Sequence, residues 1–472
     1  MKEGGAPHSG RARQFGGAPH SGRARQFGGA PHSGSAPTGR RSPTQWQRLD
    51  KSDPIRQETR QTKSKYNEES RGTEMKELLS KAYANTGESF ISTILTAAAD
   101  PNVISFAGGL PNPASFPMEA LKESCNNIID KYGSAVFQYA KTEGLQAFRQ
   151  YLAEDYNKTY GVNLDADNIV VTTGSQQALD CFGKVFINEG DGILVEKPSY
   201  LGAFQAFDQY CPEYYPVTLN DDGLDIEELE ETLEKYGDKI KLAYLIPEFQ
   251  NPTGLTYTEE NRAKVTELLK KYNIVLIEDD PYGQLRFEGT KPPYIGLGKL
   301  PQAALLGTFS KVATPGMRVG YVVTENKELA KYIAMALEAT SLHTNIFSQY
   351  LLLDYLQNND QPAHVKEIQD LYRQQCHCML DAMDKYFPEN VTYTRPEGGM
   401  FIWATLPEGV SAIKLFPKAA EKGVVYVPGD PFYVGVQDAN TLRLNFTNAS
   451  PEAIDKGIHL LGDMLKEECA GK

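Results

Sequence analysis

The sequence predicts an α/β protein: a large domain with a mainly parallel open sheet flanked by helices, plus a smaller α+β domain. Three observations carry this. From Asn168 onward, short runs that are apolar on both faces alternate with stretches of helical spacing, the pattern of buried parallel strands and their crossover helices. Polar residues gather just past the ends of those runs, where open α/β sheets hold ligands. Beyond Asn345 the alternation gives way to a long helical region and then to strands mixed with helices.

Taken in order, residues 4–15 (GGAPHSGRARQF) recur identically at 16–27 and begin a third time at 28–34. Segments so rich in Gly, Pro, Ser and Arg cannot bury a core. Residues 1–74 are expected to be a disordered, basic, repeat-containing tail, a dispensable extension with Met75 as a candidate natural start. Residues 75–118 are expected to form an arm joining the small domain, with short helices in Glu77–Tyr83 and Phe90–Ala99. Ile104 opens a short strand that passes into a Gly/Pro loop. Helices are predicted over Met118–Lys131 and Leu145–Tyr160.

The large domain, residues 119–345, should supply strands Ile169–Thr173, Ile193–Glu196, Leu242–Ile246, Ile274–Asp279, Ala303–Thr308 and Arg318–Thr324. Helices Gln176–Asn188, Tyr200–Cys211, Ile226–Tyr236 and Glu259–Lys271 fall between them. The small domain, 346–472, should open with one helical region from Phe347 to Phe387. Strands Gly399–Leu406, Gly423–Val427 and Thr441–Phe446 follow, with helices Ala412–Lys422 and Pro451–Glu468.

Composition narrows the function. The 472 residues are 40% hydrophobic and 23% charged, enough for two or more domains around a large core. The net charge of -13 is divided: residues 1–72 hold 14 Lys+Arg against 6 Asp+Glu, leaving 34 against 55 for the rest. A body that acidic has no overall attraction for nucleic acid. No apolar run approaches the roughly 18–20 residues that span a bilayer, and the N-terminus lacks the apolar stretch of a secretory signal. Six scattered cysteines suggest reduced thiols and a cytoplasmic setting. Cys376-His377-Cys378 reads as ordinary helix, since adjacent helical positions point apart, and no metal is expected.

The chemistry lies at the strand ends. Gly174-Ser175-Gln176 opens a helix, and free amides there with a Ser hydroxyl make an anion site. Tyr200 stands at the next helix start. Asn251, in an Asn-Pro turn, can point its amide into the strand-end crevice. Asp279 ends a buried strand and needs a cationic or hydrogen-bonding partner; Tyr282 follows it. Lys311 sits among apolar residues, which lowers an amine's pKa and makes it a usable nucleophile. Thr308 and, past the Pro315-Gly316 turn, Arg318 can clamp a phosphate. A phosphate turn, a stacking aromatic, an amide, a carboxylate with a phenol, and a lysine with an arginine seven later are what a phosphorylated pyridine aldehyde requires.

At this point the chain resembles the pyridoxal-phosphate-dependent aminotransferases of fold type I, class I/II, and within them the broad-specificity 2-aminoadipate/kynurenine branch. The matching stretches are FAGGLPNPASFP, QYAKTEGLQAFRQYLA, VTTGSQQALD, VEKPSY, PEFQNPTG, IEDDPYG, GTFSKVATPGMRVGY, EGGMFIWATLP and LRLNF, running from about Met75 to the C-terminus. The resemblance implies a ping-pong transfer of an amino group between an amino acid and a 2-oxo acid. By position, Lys311 would be the Schiff-base lysine and proton carrier, and Asp279 would keep the ring nitrogen protonated. Asn251 and Tyr282 would bond the ring hydroxyl oxygen, while Tyr200 would stack on the ring. Ser175, Gln176, Thr308 and Arg318 would hold the phosphate, joined by Tyr139 from a neighbouring subunit, so a homodimer with shared sites is implied. Arg443 would take the substrate carboxylate, and Gly109 would lie against the substrate.

One departure bears on substrate. Aminoadipate-type members often carry an arginine on the N-terminal helix that reads an acidic side chain; here Ser92 stands there, in a stretch without Lys or Arg. Neutral or aromatic donors are therefore expected. Two alternatives on the same scaffold are a carbon-sulfur lyase and a transcriptional regulator. The second needs a winged helix of about 60–70 residues with a periodic apolar core, which residues 1–72 lack.

Overall fold

The computed structural model of the chain describes residues 77–84 and 102–471, all within the unit Met75–Lys472. The expectations for the repeats, for arm residues 75–76 and 85–101, for the Phe90–Ala99 helix and for Ser92 lie outside the described residues.

A single helical turn, Lys81–Ala84, is followed by β1 (Ile104–Ser105), α1 (Met118–Tyr132) and α2 (Gln146–Tyr160). The alternating region comprises β2 (Ile169–Thr172), α3 (Ser175–Phe186), β3 (Gly192–Lys197), α4 (Leu201–Phe207), β4 (Glu213–Asn220) and β5 (Gly223–Leu224). It continues through α5 (Ile226–Tyr236), β6 (Ile240–Leu245), α6 (Glu259–Leu269), β7 (Val275–Asp279), β8 (Ala303–Thr308), β9 (Gly320–Val323) and α7 (Lys327–Ser341). The remainder is α8 (Ile346–Asn358), α9 (Gln361–Tyr386), β10 (Thr392–Tyr393), β11 (Phe401–Thr405), α10 (Ala412–Glu421), β12 (Val424–Val425), β13 (Val427–Pro428), β14 (Thr441–Asn445) and α11 (Pro451–Glu468).

Local chemistry explains the boundaries. Asp225, Thr258 and Ser450 each accept a bond from the third residue of the helix they precede, the N-cap arrangement of α5, α6 and α11. In α1, Leu121, Ser124 and Ile128 form the buried stripe that the 3.6-residue period demands.

The main sheet has eight strands in the order β2-β9-β8-β7-β6-β3-β4-β5. The pairs β8–β7, β7–β6, β6–β3 and β3–β4 are parallel. Strands β2, β8 and β9 are buried along almost their whole length, as are β6 and β7. Each fully buried Val, Leu or Ile there contributes roughly 1.5–3 kcal/mol of transfer free energy. Strand β9 runs against both neighbours. Residues 309–319 are too few for a crossover helix, which takes about a dozen or more, so the chain returns beside β8 antiparallel. The second sheet, β10-β11-β14-β13, is antiparallel, and β1 pairs parallel with β12.

Several elements differ from expectation, the two-residue strands β5 and β10 and the division of the Gly423–Val427 strand into β12 and β13 among them. Strand β4, between β3 and the two-residue edge strand β5, was not anticipated: it is half-exposed and carries Pro216, which blurs the apolar signal. Helix α7 was also missed, although Asn326 caps it and Leu329, Ile333 and Leu337 recur at helical spacing. The single Phe347–Phe387 helix is two, because Asn359 is extended and Asp360 starts a fresh helix with Pro362 in its first turn.

Candidate active site

The carboxyl ends of β2, β6, β7 and β8 converge on a cavity of about 160 Å³. At one end, Gly174 (φ 74) turns the chain from β2 into α3, leaving that helix's first amides facing the cavity. A Cβ at Gly174 would lie 2.5 Å from Arg318 Nη2, so only glycine lets the guanidinium settle there. Arg318 donates to Thr173 O (3.3 Å) and to Ser310 Oγ (3.5 Å), and Thr308 Oγ1 donates to Ser310 Oγ at 2.9 Å. Ser175 lines the same end. Gln176 lines it too, its Nε2 tied to Gly202 O at 2.6 Å. Hydroxyls, helix amides and a guanidinium make this a dianion site.

At the other end Asp279 closes β7, 2% exposed, its Oδ2 accepting from Tyr244 OH at 2.9 Å. Burial pushes its carboxyl up to about 7, with Tyr244 opposing and Asp280 and Glu196 adding to the rise. The Ser175 hydroxyl also favours the charged form, yet Asp279 Oδ1 and Ser175 Oγ are buried without a hydrogen bond of normal geometry. Between the ends, Asn251 Nδ2 donates to Tyr282 OH (3.2 Å), and Tyr200 lines the wall beside them. Lys311 Nζ donates to Gly109 O at 2.7 Å. Burial, then Arg443 and Arg318, lower its amine to about 8.

Arg443 approaches from β14. Its Nη1 donates to Asn251 Oδ1 (2.7 Å) and its Nη2 to Ala107 O (2.9 Å), while Nε is buried without a partner. The guanidinium carbon lies 4.2 Å from the Phe401 ring centre and 5.1 Å from that of Phe432. Burial pulls its pKa down to about 10, so it stays charged. Gly109 packs by the same ring: a Cβ there would lie 3.2 Å from Phe401.

Among the described residues singled out by sequence, Arg443 and Gly109 do not line the cavity but bond to Asn251 and Lys311, which do; Tyr139 stands away from it, 79% exposed with its ring edge-on to His343. Cys376 and His377 are helix residues of α9, one buried and the other on Glu288 at 2.8 Å. Sequence reasoning overlooked Tyr244, because a phenol within an apolar strand looks like core, and it assigned no role to Phe401. The signal for Tyr244 was its register: β6 pairs with β7, so a polar group near the end of one can serve the carboxylate ending the other.

This donor set fits a phosphorylated pyridine. The orphaned Asp279 Oδ1 wants a cationic N–H, the α3 end wants a phosphate, and Lys311 offers an amine of lowered basicity between them. The comparisons agree. The family model for aminotransferase class I and II matches residues 102–461. The aromatic-amino-acid aminotransferase 1 of Thermococcus litoralis is 41% identical over 80% of this chain and 91% of its own length. The 2-aminoadipate transaminase of Thermus thermophilus is 37% identical over 83% and 97%. Among solved structures, kynurenine aminotransferase of Pyrococcus horikoshii, in complex with PMP, superposes with a TM-score of 0.80 at 39% identity, covering 84% of this chain and 98% of that one. With the site and these relatives in agreement, the chain belongs to the class I and II aminotransferases, pyridoxal-phosphate-dependent transaminases of fold type I.

Proposed function

We propose that the chain moves amino groups from neutral or aromatic amino acids to 2-oxo acids, with Lys311 as its central residue. The observation that supports this most is the Lys311 amine, which lines the cavity, donates to Gly109 O at 2.7 Å and has its pKa lowered to about 8. Bound there, pyridoxal phosphate supplies the carbonyl that takes up the amino group and the electron sink that acidifies the substrate's Cα–H. Lys311 would hold the cofactor through its amine and would carry the proton that leaves the substrate's Cα. Asp279 would keep a proton on the ring nitrogen, and Tyr200 would pack beside the ring. Asn251 and Tyr282 orient the ring oxygen. Ser175, Gln176, Thr308 and Arg318 hold the phosphate. Arg443 binds the substrate carboxylate against Asn251, and Gly109 leaves room for the substrate.

The charged residues lining the cavity among those described are Asp279, Lys311 and Arg318, and each has a role toward the cofactor. None remains to read an acidic side chain, which favours neutral donors; the names of the relatives acting on aromatic amino acids and kynurenine lean the same way. Mixing the enzyme with single amino acids and following loss of the visible cofactor band tests this. Leucine and aromatic amino acids should react fastest; a clear preference for aminoadipate or glutamate contradicts it.

Tyr139 and Phe137 are 79% and 69% exposed, with Met335 and Leu342 also exposed. A second copy covering these residues would bring Tyr139 to its neighbour's phosphate site, and we propose a homodimer on that basis. Among the described residues no helix is long and apolar enough to cross a membrane. None of the six cysteines, all among the described residues, forms a disulfide, in keeping with a reducing, cytoplasmic setting.

A further inference from the structure

Just behind the ring end of the site lies a carboxylate with no direct contact to the cavity. Glu196, on β3, is fully buried. Its Oε1 accepts from Ile246 N and from Tyr257 OH, both at 2.8 Å, and its Oε2 accepts from Gln250 Nε2 at 2.8 Å. Gln250 Nε2 also donates to Pro198 O at 2.8 Å. One carboxylate therefore ties together the loop that leads to Tyr200 and the loop that carries Asn251. The second loop is closed further by Gln250 Oε1, which accepts from Thr253 N (3.0 Å) and Thr253 Oγ1 (2.8 Å) around Asn251-Pro252. Burying a carboxylate is costly unless donors surround it, and here burial raises its pKa to about 7 even with these donors in place. A glutamine of the same shape cannot substitute. Three donors converge on the two oxygens, and an amide NH2 would face one of them.

We propose that Glu196 is a positioning residue for the known reaction: by fixing the 246–253 loop it aims the Asn251 amide, and through Asn251 Oδ1 the Arg443 guanidinium, at the substrate carboxylate. This rests on the reading of Asn251 and Arg443 as the substrate end of the site.

The test is a double-mutant cycle of Glu196→Gln and Asn251→Ala on the holoenzyme, at about pH 8.5, above the raised pKa of Glu196. E196Q should raise the amino-acid KM about tenfold, the equivalent of one lost hydrogen bond, and change kcat less. In the N251A background it should add less than about twofold, because both act on one group. In cofactor-free protein, hydrogen exchange should speed up at the Ile246 and Gln250 amides in E196Q. A KM for E196Q within about twofold of wild type, or a full tenfold effect persisting in N251A, overturns the inference alone. A normal KM in N251A itself overturns the underlying site reading and this inference with it. Tyr257→Phe, which removes a single donor, is the milder second variant. It should raise KM about threefold, and an unchanged KM there also counts against the proposal.

Discussion

Replacing Arg443 with lysine keeps the charge and removes the planar fork, so it isolates geometry from electrostatics. The guanidinium carries five N–H donors. Asn251 Oδ1 and Ala107 O use one each. Three remain, including the unpartnered Nε, enough for both oxygens of a substrate carboxylate. A lysine ammonium has three donors on one nitrogen. Serving Asn251 and Ala107 leaves it one, so the carboxylate loses a charge-assisted bond worth about 1.5–3 kcal/mol, roughly 10- to 150-fold in KM. The stacking over Phe401 at 4.2 Å is lost as well, which adds to the effect. Half-reaction kinetics on R443K should show the amino-acid KM rising by that factor. The penalty should vanish for an amine of similar shape without a carboxylate. Cofactor affinity should hold, since Arg443 is absent from the cavity lining. A KM within about threefold of wild type, with normal cofactor binding, would refute the assignment.

Two further predictions follow from the geometry of the site. Gly174→Ala should weaken cofactor binding at least about tenfold, because the new Cβ meets Arg318 at 2.5 Å and the backbone sits at φ 74. Gly161→Ala, at φ 68 with open space around it, should lower Tm while leaving cofactor Kd alone; equal effects of the two on Kd would contradict the clamp. In cofactor-free protein the lowered pKa leaves Lys311 neutral and nucleophilic above about pH 8, well below the range of a free lysine. The rate of Lys311 alkylation should therefore rise with pH through a midpoint near 8 and then level off. Arg318→Gln removes a nearby positive charge and should move that midpoint upward; a wild-type midpoint near 10.5 would contradict the burial argument.

Much of the site was legible in the sequence because its parts occupy successive strand ends. Asp279 ends β7 and Thr308 ends β8, and each reaches the cavity because the apolar run before it is a buried strand. Ser175 was legible through its glycine: Gly174 before a helical run marks a turn that frees amides. What escaped notice was polar chemistry disguised as core. Tyr244 and Glu196 sit within apolar strands, and neither pattern nor composition separates a phenol or carboxylate serving a neighbour from one at a surface. Register does, and register is a property of the folded sheet. The fold failed to show itself where burial was partial, as along β4, and where one pair of residues, Asn359-Asp360, interrupts an otherwise continuous helical period. Tyr139 is the opposite case. Sequence resemblance implied a phosphate contact, and a single chain leaves its ring exposed, as a residue acting on a partner's site would be.

Borohydride reduction of the holoenzyme followed by peptide mapping reads out which lysine holds the cofactor. A phosphopyridoxyl group should appear on Lys311 in the peptide spanning GTFSKVATPGMR, and the visible cofactor band should be lost in Lys311→Ala. A label on any other lysine, or a Lys311→Ala protein that keeps the band and transaminates at the wild-type rate, would contradict Lys311 as that lysine.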